Sequence, residues 1–195
     1  RQRQMCIRDS TMKQLTEQLA RAIVRPRSRN TYKGSFGKIL IIGGNAQYGG
    51  AAIMSASAAV YAGAGLVSVA TDPVNRSALH ARLPEAMILD ASTSALETAI
   101  HQATVIVVGP GLGTDTTALK ILKRVFAAVS QTQVLIIDGS AITLVATHHL
   151  AYPQAQLIWT PHQVEWQRLS GLALAAQTIE AVSYTHLRAH ETGAY

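Results

Sequence analysis

The chain has 195 residues, of which 48% are hydrophobic and 14% are charged, a composition that indicates a globular protein and excludes a disordered one. The net charge of +6 is unevenly spread, because residues 1–38 hold ten of the seventeen basic and two of the eleven acidic side chains. The remaining residues carry seven basic and nine acidic side chains, a net charge of −2. The positive charge is thus concentrated in residues 1–38, and the remainder of the chain is nearly neutral. This distribution argues against nucleic-acid binding, because an even basic face is what would support contacts with the phosphate backbone.

The cysteine content and the longest uncharged stretch exclude two further classes. The one cysteine, Cys6, cannot support a disulfide framework or a cysteine metal site. Residues 39–71 carry no charge and are long enough to span a bilayer, but glycines, Asn45 and Gln47 interrupt them. A buried strand, turn, helix and strand explain this stretch better, so we predict no membrane contact and expect a cytoplasmic protein.

The two ends of the chain fit neither helical nor strand periodicity. RQRQMCIRDS at the start and AVSYTHLRAHETGAY at the end resemble translated sequencing-adaptor read-through, with disordered tails as the alternative. We therefore expect a non-native leader at 1–10, a partial domain at 11–180 and a non-native tail at 181–195. Neither end is assigned a function.

Hydrophobic periodicity between these ends predicts alternating strands and helices. Strands are predicted at 37–44, 66–71, 86–90, 104–109, 133–138 and 156–160. Helices are predicted at 12–24, 50–63, 74–80, 96–103, 114–130, 141–150 and 161–171. Continuous Val/Ile/Leu strands between amphipathic helices indicate an α/β fold, a mostly parallel sheet with helices on both faces. Ligands bind such sheets at the carboxyl ends of the strands, where GGNAQYGG, GPGLG, DGSAI and TPH all fall.

The first of these segments resembles half of a phosphate-binding loop. Gly44–Gly49 satisfies the start of the P-loop pattern, but Gly50-Ala51 stands where lysine and a hydroxyl residue are required, which argues against a P-loop NTPase. Two alternatives are left: a tight structural turn, or backbone amides at a helix N-terminus that face an anion or a polar ligand. The uncharged polar side chains of Asn45, Gln47 and Tyr48 favour the ligand.

The next two segments leave similar alternatives open. Gly109–Gly113 (GPGLG) allows a ligand to approach the main chain or forms a structural turn, and Thr114-Asp115 behind it suits a helix N-cap. Asp138 ends a predicted strand, where an acid either acts on a ligand or caps the next helix.

The TPH segment is predicted to start a helix. Thr160 would be the N-cap, Pro161 the first helical residue and Gln163 the residue that closes a capping box. His162 is left without a structural role on the first turn, so it is either a ligand contact or an exposed polar histidine. The pair His148–His149 lies near a predicted helix end and suits the helix dipole better than a metal.

Taken in order, KGSFGKILIIGGNAQYGGAAIMSASAAVYAGAGLVSVAT, LPEAMI, VVGPGLG, IIDGSAITLV and TPHQVEWQRLSG resemble the ADP-dependent NAD(P)H-hydrate dehydratases, over about residues 30–172. The resemblance implies a ribokinase-like fold that is incomplete at the C-terminus. It implies nucleotide repair by a carbon–oxygen lyase: NADH or NADPH hydrate loses water, coupled to phosphoryl transfer from ADP, giving NAD(P)H, AMP and phosphate. ADP and Mg²⁺ are the implied cofactors, with glycine-loop amides holding the transferring charge.

The same resemblance implies where the ligands lie. The predicted substrate-binding residues for the hydrated dinucleotide are Ala51, Gly111, Gly113, His162, Asn45 and Tyr48. Asp138 would lie in the phosphate and metal region, although Ser140 replaces the second acid that the family often has there, so no metal ligand is assigned. The family's catalytic aspartate lies in a GxGD-like loop, and neither that loop nor the AMP-binding lysine–glycine stretch occurs in this sequence. We therefore assign no catalytic residue and expect the chain, as a C-terminally truncated fragment, to lack dehydratase activity.

Two other functions stay open at this point. An ATP-dependent small-molecule kinase of the same fold would phosphorylate a vitamin-type alcohol and ignore NADH hydrate. A non-catalytic nucleotide-binding fragment would expose apolar surface and aggregate, whereas a finished binding module would melt cooperatively as a stable, monodisperse protein. A homo-oligomer, and functional pairing with an NAD(P)H-hydrate epimerase, are likewise open.

Overall fold

The computed structural model describes residues 16–24, 26–91 and 93–177. The chain divides into two compact units. The larger unit is Tyr32–Leu169, and the smaller contains helix α1 (Glu17–Ile23) and a 3₁₀ turn at Leu174–Ala176. The predicted leader and tail lie outside the described residues, so the domain boundaries at 11 and 180 stay predictions.

The larger unit is built on a six-stranded, fully parallel sheet, which confirms the predicted fold class. Its strands are β1 (Lys38–Ile42), β2 (Leu66–Ala70), β3 (Met87–Leu89), β4 (Val105–Val108), β5 (Val134–Ile137) and β6 (Gln156–Trp159). Its α-helices are α2 (Gly49–Tyr61), α3 (Arg76–Arg82), α4 (Ala95–Gln102), α5 (Thr116–Ala128), α6 (Ser140–His148) and α7 (Gln163–Ser170). Each predicted strand is found, slightly shorter than its hydrophobic run. Among the described residues, no helix has the length and apolar content needed to cross a membrane.

Alternate residues of the central strands face two separate cores. Leu40 and Ile42 of β1 lie in a core with buried residues of α4, α5 and α6. Ile41, between them, lies in a second core with residues of α3 and with Ala52 and Ala56 of α2. The small residues of α2 allow that helix to pack closely on the sheet. Helices therefore cover both faces, as the continuous apolar strands predict.

The strand order, β3-β2-β1-β4-β5-β6, determines where a ligand can bind. The chain runs outward from β1 to β3 on one side and from β4 to β6 on the other, so the order reverses between β1 and β4. In open parallel sheets a crevice forms at this reversal, at the carboxyl ends of the strands. Every segment predicted to carry function follows β1, β4, β5 or β6, and these four strands are consecutive neighbours in the sheet.

Candidate functional site

Four loops form a row along the carboxyl edge of the sheet. They are 43–48 after β1, 109–115 after β4, 138–139 after β5 and 160–162 after β6. Neighbouring strands lie about 4.8 Å apart, so the row spans three interstrand steps, or about 14 Å. A ligand that touches both ends of the row must therefore be elongated.

The first two loops are bonded to each other through their backbones. The amide of Gly44 donates to the Pro110 carbonyl at 2.8 Å, and the amide of Asn45 donates to the Gly111 carbonyl at 2.7 Å. A Cβ atom added at Gly43 would overlap the Pro110 carbonyl oxygen, and one at Gly111 would overlap that of Tyr48. Both glycines are thus needed for loop packing. The two glycine segments therefore have the structural role that the sequence left as one alternative, whereas ligand contact by Gly111 stays a prediction.

Three of the predicted substrate-binding residues lie at the start of α2. The side-chain Oδ1 of Asn45 accepts hydrogen bonds from the amides of Gln47 (3.0 Å) and Tyr48 (2.8 Å), so this side chain shapes the turn into the helix. Tyr48 is 55% exposed, and Ala51 is half-buried in the first helical turn. Within the described part of the chain, no side chain caps the Tyr48 position, and the first turn of α2 has no acidic residue. The backbone amides of the first turn of α2, from Gly49 onward, are therefore placed as an anion-binding helix start requires.

A buried polar group that the sequence did not reveal holds this turn from beneath. Asn75 is 8% exposed, and its Nδ2 donates to the Gly44 carbonyl at 2.9 Å and to the Thr71 hydroxyl at 3.0 Å. The Thr71 hydroxyl donates to the same Gly44 carbonyl at 2.7 Å. A Cβ atom at Gly49 would overlap Asn75 Oδ1, so Asn75 also sets the approach of α2. Asn75 ends a 3₁₀ turn (Pro73–Asn75), directly before α3, and breaks no periodicity, so no sequence signal identifies it.

The β4 loop and the start of α6 are joined by Ser140. Ser140 Oγ accepts a hydrogen bond from the amide of Gly113 at 3.1 Å. Gly113 has φ +88° and lies beside the Asn45 side chain. This proximity brings together predicted substrate residues of the β1 and β4 loops. Asp115 is the N-cap of α5, as predicted, and accepts from the amide of Ala118 at 2.8 Å.

Asp138 faces the β6 loop and does not cap the helix that follows it. Its Oδ1 accepts a hydrogen bond from the Thr160 hydroxyl at 2.7 Å, while Gly139 occupies the N-cap position of α6. Asp138 is half-buried, and one of its carboxylate oxygens therefore has a fixed protein partner. In the described residues no group of three or more His, Cys, Asp or Glu side chains could hold a metal ion. Asp138 can therefore offer one carboxylate to a cation and not a complete site.

The start of α7 differs from the prediction. We expected Thr160 as the N-cap and Gln163 as the closing residue, but the helix begins at Gln163, so the N-cap is His162. His162 Nδ1 accepts from the amide of Val164 at 3.1 Å, and Glu165 Oε2 accepts from the amide of His162 at 3.0 Å. This is a capping box with histidine in place of serine or threonine. The prediction was wrong because the Thr160 hydroxyl is already directed to Asp138.

A crevice of about 410 Å³ opens beside the row, at the reversal between β1 and β4. Asp72, Asp90 and Asp115 line it, together with apolar side chains such as Leu112 and Ile121 and without any basic side chain. Of the predicted substrate residues, the crevice lining includes Asn45 alone. The structure thus groups Asn45, Tyr48, Ala51, Gly111 and Gly113 through loop contacts, and places His162 and Asp138 further along the row.

Comparison with known proteins identifies the family of the chain. The family model of the NAD(P)H-hydrate dehydratases matches residues 39–191. An ADP-dependent (S)-NAD(P)H-hydrate dehydratase of Lactiplantibacillus plantarum is 52% identical over 164 residues, which are 84% of this chain and 59% of that protein. The chain therefore spans about three-fifths of the length of this relative.

Two solved structures share the fold. A ribokinase-like superfamily protein from Enterococcus faecalis is 48% identical with a TM-score of 0.78, over 85% of this chain and 58% of that one. A protein from Streptococcus mutans is 45% identical with a TM-score of 0.81, over 88% of this chain and 63% of that one. These matches confirm the ribokinase-like fold. Since the family model covers more than half of its residues, the chain belongs to the NAD(P)H-hydrate dehydratase family.

Proposed function

We propose that the row of loops binds a hydrated nicotinamide dinucleotide, and that the protein is an ADP-dependent NAD(P)H-hydrate dehydratase acting in nucleotide repair. The observation that carries the proposal is the alignment of the α2 amides, the GPGLG loop, Asp138 and His162 along one edge of about 14 Å. An edge of this length suits an elongated dinucleotide. The name of the Lactiplantibacillus plantarum relative supports the choice of substrate and of ADP.

The chain's own residues would bind and orient this ligand mainly through hydrogen bonds. The four loops of the row contain no lysine or arginine, so phosphate oxygens would be held by backbone amides at the start of α2 and by the amide of Gly111. The amides of Gly109, Leu112 and Gly113 already donate within the protein. His162 is 64% exposed at the far end of the row and can donate a hydrogen bond to a ligand oxygen.

The implied cofactors fit the chain only in part. Bound ADP would supply the phosphoryl group that turns the hydrate's hydroxyl into a leaving group. Asp138 would contribute one ligand to Mg²⁺, which commonly takes one or two carboxylates and completes its shell with phosphates and water. Because the relative is named for the (S) hydrate, a repair system also needs the other epimer to be converted, and we include pairing with an epimerase in the proposal.

Titration of the chain with NADH hydrate, followed by calorimetry, tests the proposal. Binding is the chosen readout because the sequence contains no GxGD-like loop, so turnover with ADP is not expected. His162→Ala should weaken binding, and His80→Ala, which removes an exposed histidine on α3, should leave it unchanged. No binding of NADH hydrate, together with ATP-dependent phosphorylation of a vitamin-type alcohol, would instead identify a small-molecule kinase.

A further inference from the structure

The residue that caps α7 is an unusual one. Serine, threonine, aspartate and asparagine are the common N-caps, and any of them could accept the two amide hydrogen bonds made here. Histidine adds a second ring nitrogen, Nε2, which the cap does not use. The His162 side chain is 64% exposed at the carboxyl edge of the sheet, so a ligand can reach the ring.

The cap determines which ring nitrogen carries the proton. His162 Nδ1 lies 3.1 Å from the amide nitrogen of Val164 and 3.4 Å from that of Glu165, and both amides donate to it. A nitrogen that accepts hydrogen bonds has no hydrogen of its own, so the ring proton is on Nε2. The exposed nitrogen of His162 is therefore a hydrogen-bond donor.

Glu165 completes this arrangement from the buried side. Its side chain is only 9% exposed, which is rare for a glutamate unless the carboxylate is paired. Oε2 accepts the His162 amide at 3.0 Å, and Oε1 lies 3.4 Å from His162 Nε2. The distance between Oε1 and Nε2 is long for a hydrogen bond, so Nε2–H stays available to a ligand. The negative charge of the Glu165 carboxylate nevertheless favours a proton on Nε2 over one on Nδ1.

We infer that Glu165 is a positioning residue, which holds His162 as the Nε2–H tautomer and so presents a hydrogen-bond donor to the dinucleotide site. The identity of the ligand rests on the proposed function, whereas the tautomer rests on the contacts of α7 alone. Glu165 acts through His162 and touches no ligand itself.

Nitrogen NMR of the chain with ¹⁵N-labelled histidine rings tests the tautomer without any ligand. The His162 signals are assigned by their loss in His162→Gln. In the wild-type chain we expect an unprotonated Nδ1 and a protonated Nε2. In Glu165→Gln the two amides still donate to Nδ1 but the negative charge beside Nε2 is lost, so we expect both signals to move part of the way toward a mixture of tautomers. Glu85→Gln, which changes an exposed glutamate elsewhere, should leave them in place.

A proton on Nδ1 in the wild-type chain, or His162 signals that Glu165→Gln does not move, would overturn the inference. If Glu165→Gln does not fold, Glu165→Asp makes the same test, because withdrawing the carboxylate by one methylene must also shift the signals.

The functional part is tested by titrating the same proteins with NADH hydrate. Glu165→Gln should weaken binding about three- to tenfold, the value of one hydrogen bond to the ligand, and Glu85→Gln should not. Equal binding by Glu165→Gln with an altered tautomer would refute the positioning role. If the wild-type chain does not bind NADH hydrate, the proposed function fails, and the NMR result still decides the tautomer.

Discussion

Asn75 offers the sharpest test of how the first loop is held, because one buried side chain joins three segments. Its Nδ2 donates to the carbonyls of Gly44 (2.9 Å) and Asn45 (3.3 Å) and to the hydroxyl of Thr71 (3.0 Å). Replacing it with alanine removes these bonds but does not leave the Gly44 carbonyl unsatisfied, since the Thr71 hydroxyl and the Asp72 amide still donate to it. We therefore expect Asn75→Ala to lower the free energy of unfolding by about 1–3 kcal/mol.

Asn75→Asp keeps the shape of the side chain and reverses its chemistry. A carboxylate oxygen would replace Nδ2 and face the two carbonyl oxygens, with no hydrogen to donate, in a position that is 8% exposed. Burying an unpaired charge costs more than losing hydrogen bonds, so we expect a loss above about 3 kcal/mol at neutral pH. The aspartate variant should thus be less stable than the alanine variant, although it is closer in size to asparagine.

Urea unfolding, followed by the fluorescence of the buried Trp159 and Trp166, measures both losses through the midpoint of the transition. Asn30→Ala, which changes an exposed asparagine, is the control and should stay within about 0.5 kcal/mol of the wild-type chain. An alanine variant as stable as the wild type, or an aspartate variant at least as stable as the alanine one, would refute this account of the loop.

Two further predictions follow from the structure. Gly111→Ala should destabilise the chain by more than about 2 kcal/mol, because φ is +62° and the new Cβ would overlap the Tyr48 carbonyl. Gly50→Ala should be neutral or slightly stabilising, because nothing lies within 4 Å of its added Cβ. The midpoints of urea unfolding compare the two variants, and equal effects would contradict the packing of the loops. The hydrogen-bonded Arg124 guanidinium lowers the pKa of Glu97 from 4.5 to about 2, so this pair should stabilise the fold above pH 4.5 and lose its contribution as the pH falls toward 2. Glu97→Gln should flatten that part of the stability–pH curve, and an unchanged slope would show that the pair does not form.

Hydrophobic periodicity is sufficient to predict the strands because each is a mainly apolar run, and the central strands β1, β4 and β5 consist largely of Val, Ile and Leu. The run Lys38–Ile42 is an example, since Leu40, Ile41 and Ile42 are each at most 1% exposed and belong to two different cores. The position of β4 beside β1 cannot be predicted from hydrophobic periodicity. It depends on pairing between residues more than sixty positions apart, such as Ile41 with Val107.

The site was less predictable, because the competing partners are distant in sequence. A local pattern made Thr160 the N-cap of α7, but its hydroxyl bonds Asp138, 22 residues earlier, and His162 takes over the cap. For the two glycine segments the sequence left a structural turn and an opening for a ligand as alternatives, and Gly43 and Gly111 lie where the two loops pack against each other. In each case a tertiary contact decides what local sequence alone does not.

The charges at the carboxyl edge indicate which part of it can accept phosphate. The crevice at the strand reversal is where dinucleotide-binding folds commonly place a pyrophosphate, but here Asp72, Asp90 and Asp115 line it and no basic side chain does. Three carboxylates would repel a diphosphate at short range. The start of α2 presents backbone amides and has no acidic residue in its first turn. If the proposed function holds, we therefore expect the phosphates of the dinucleotide on the side of the glycine loops, and an uncharged or positive part of the ligand in the crevice.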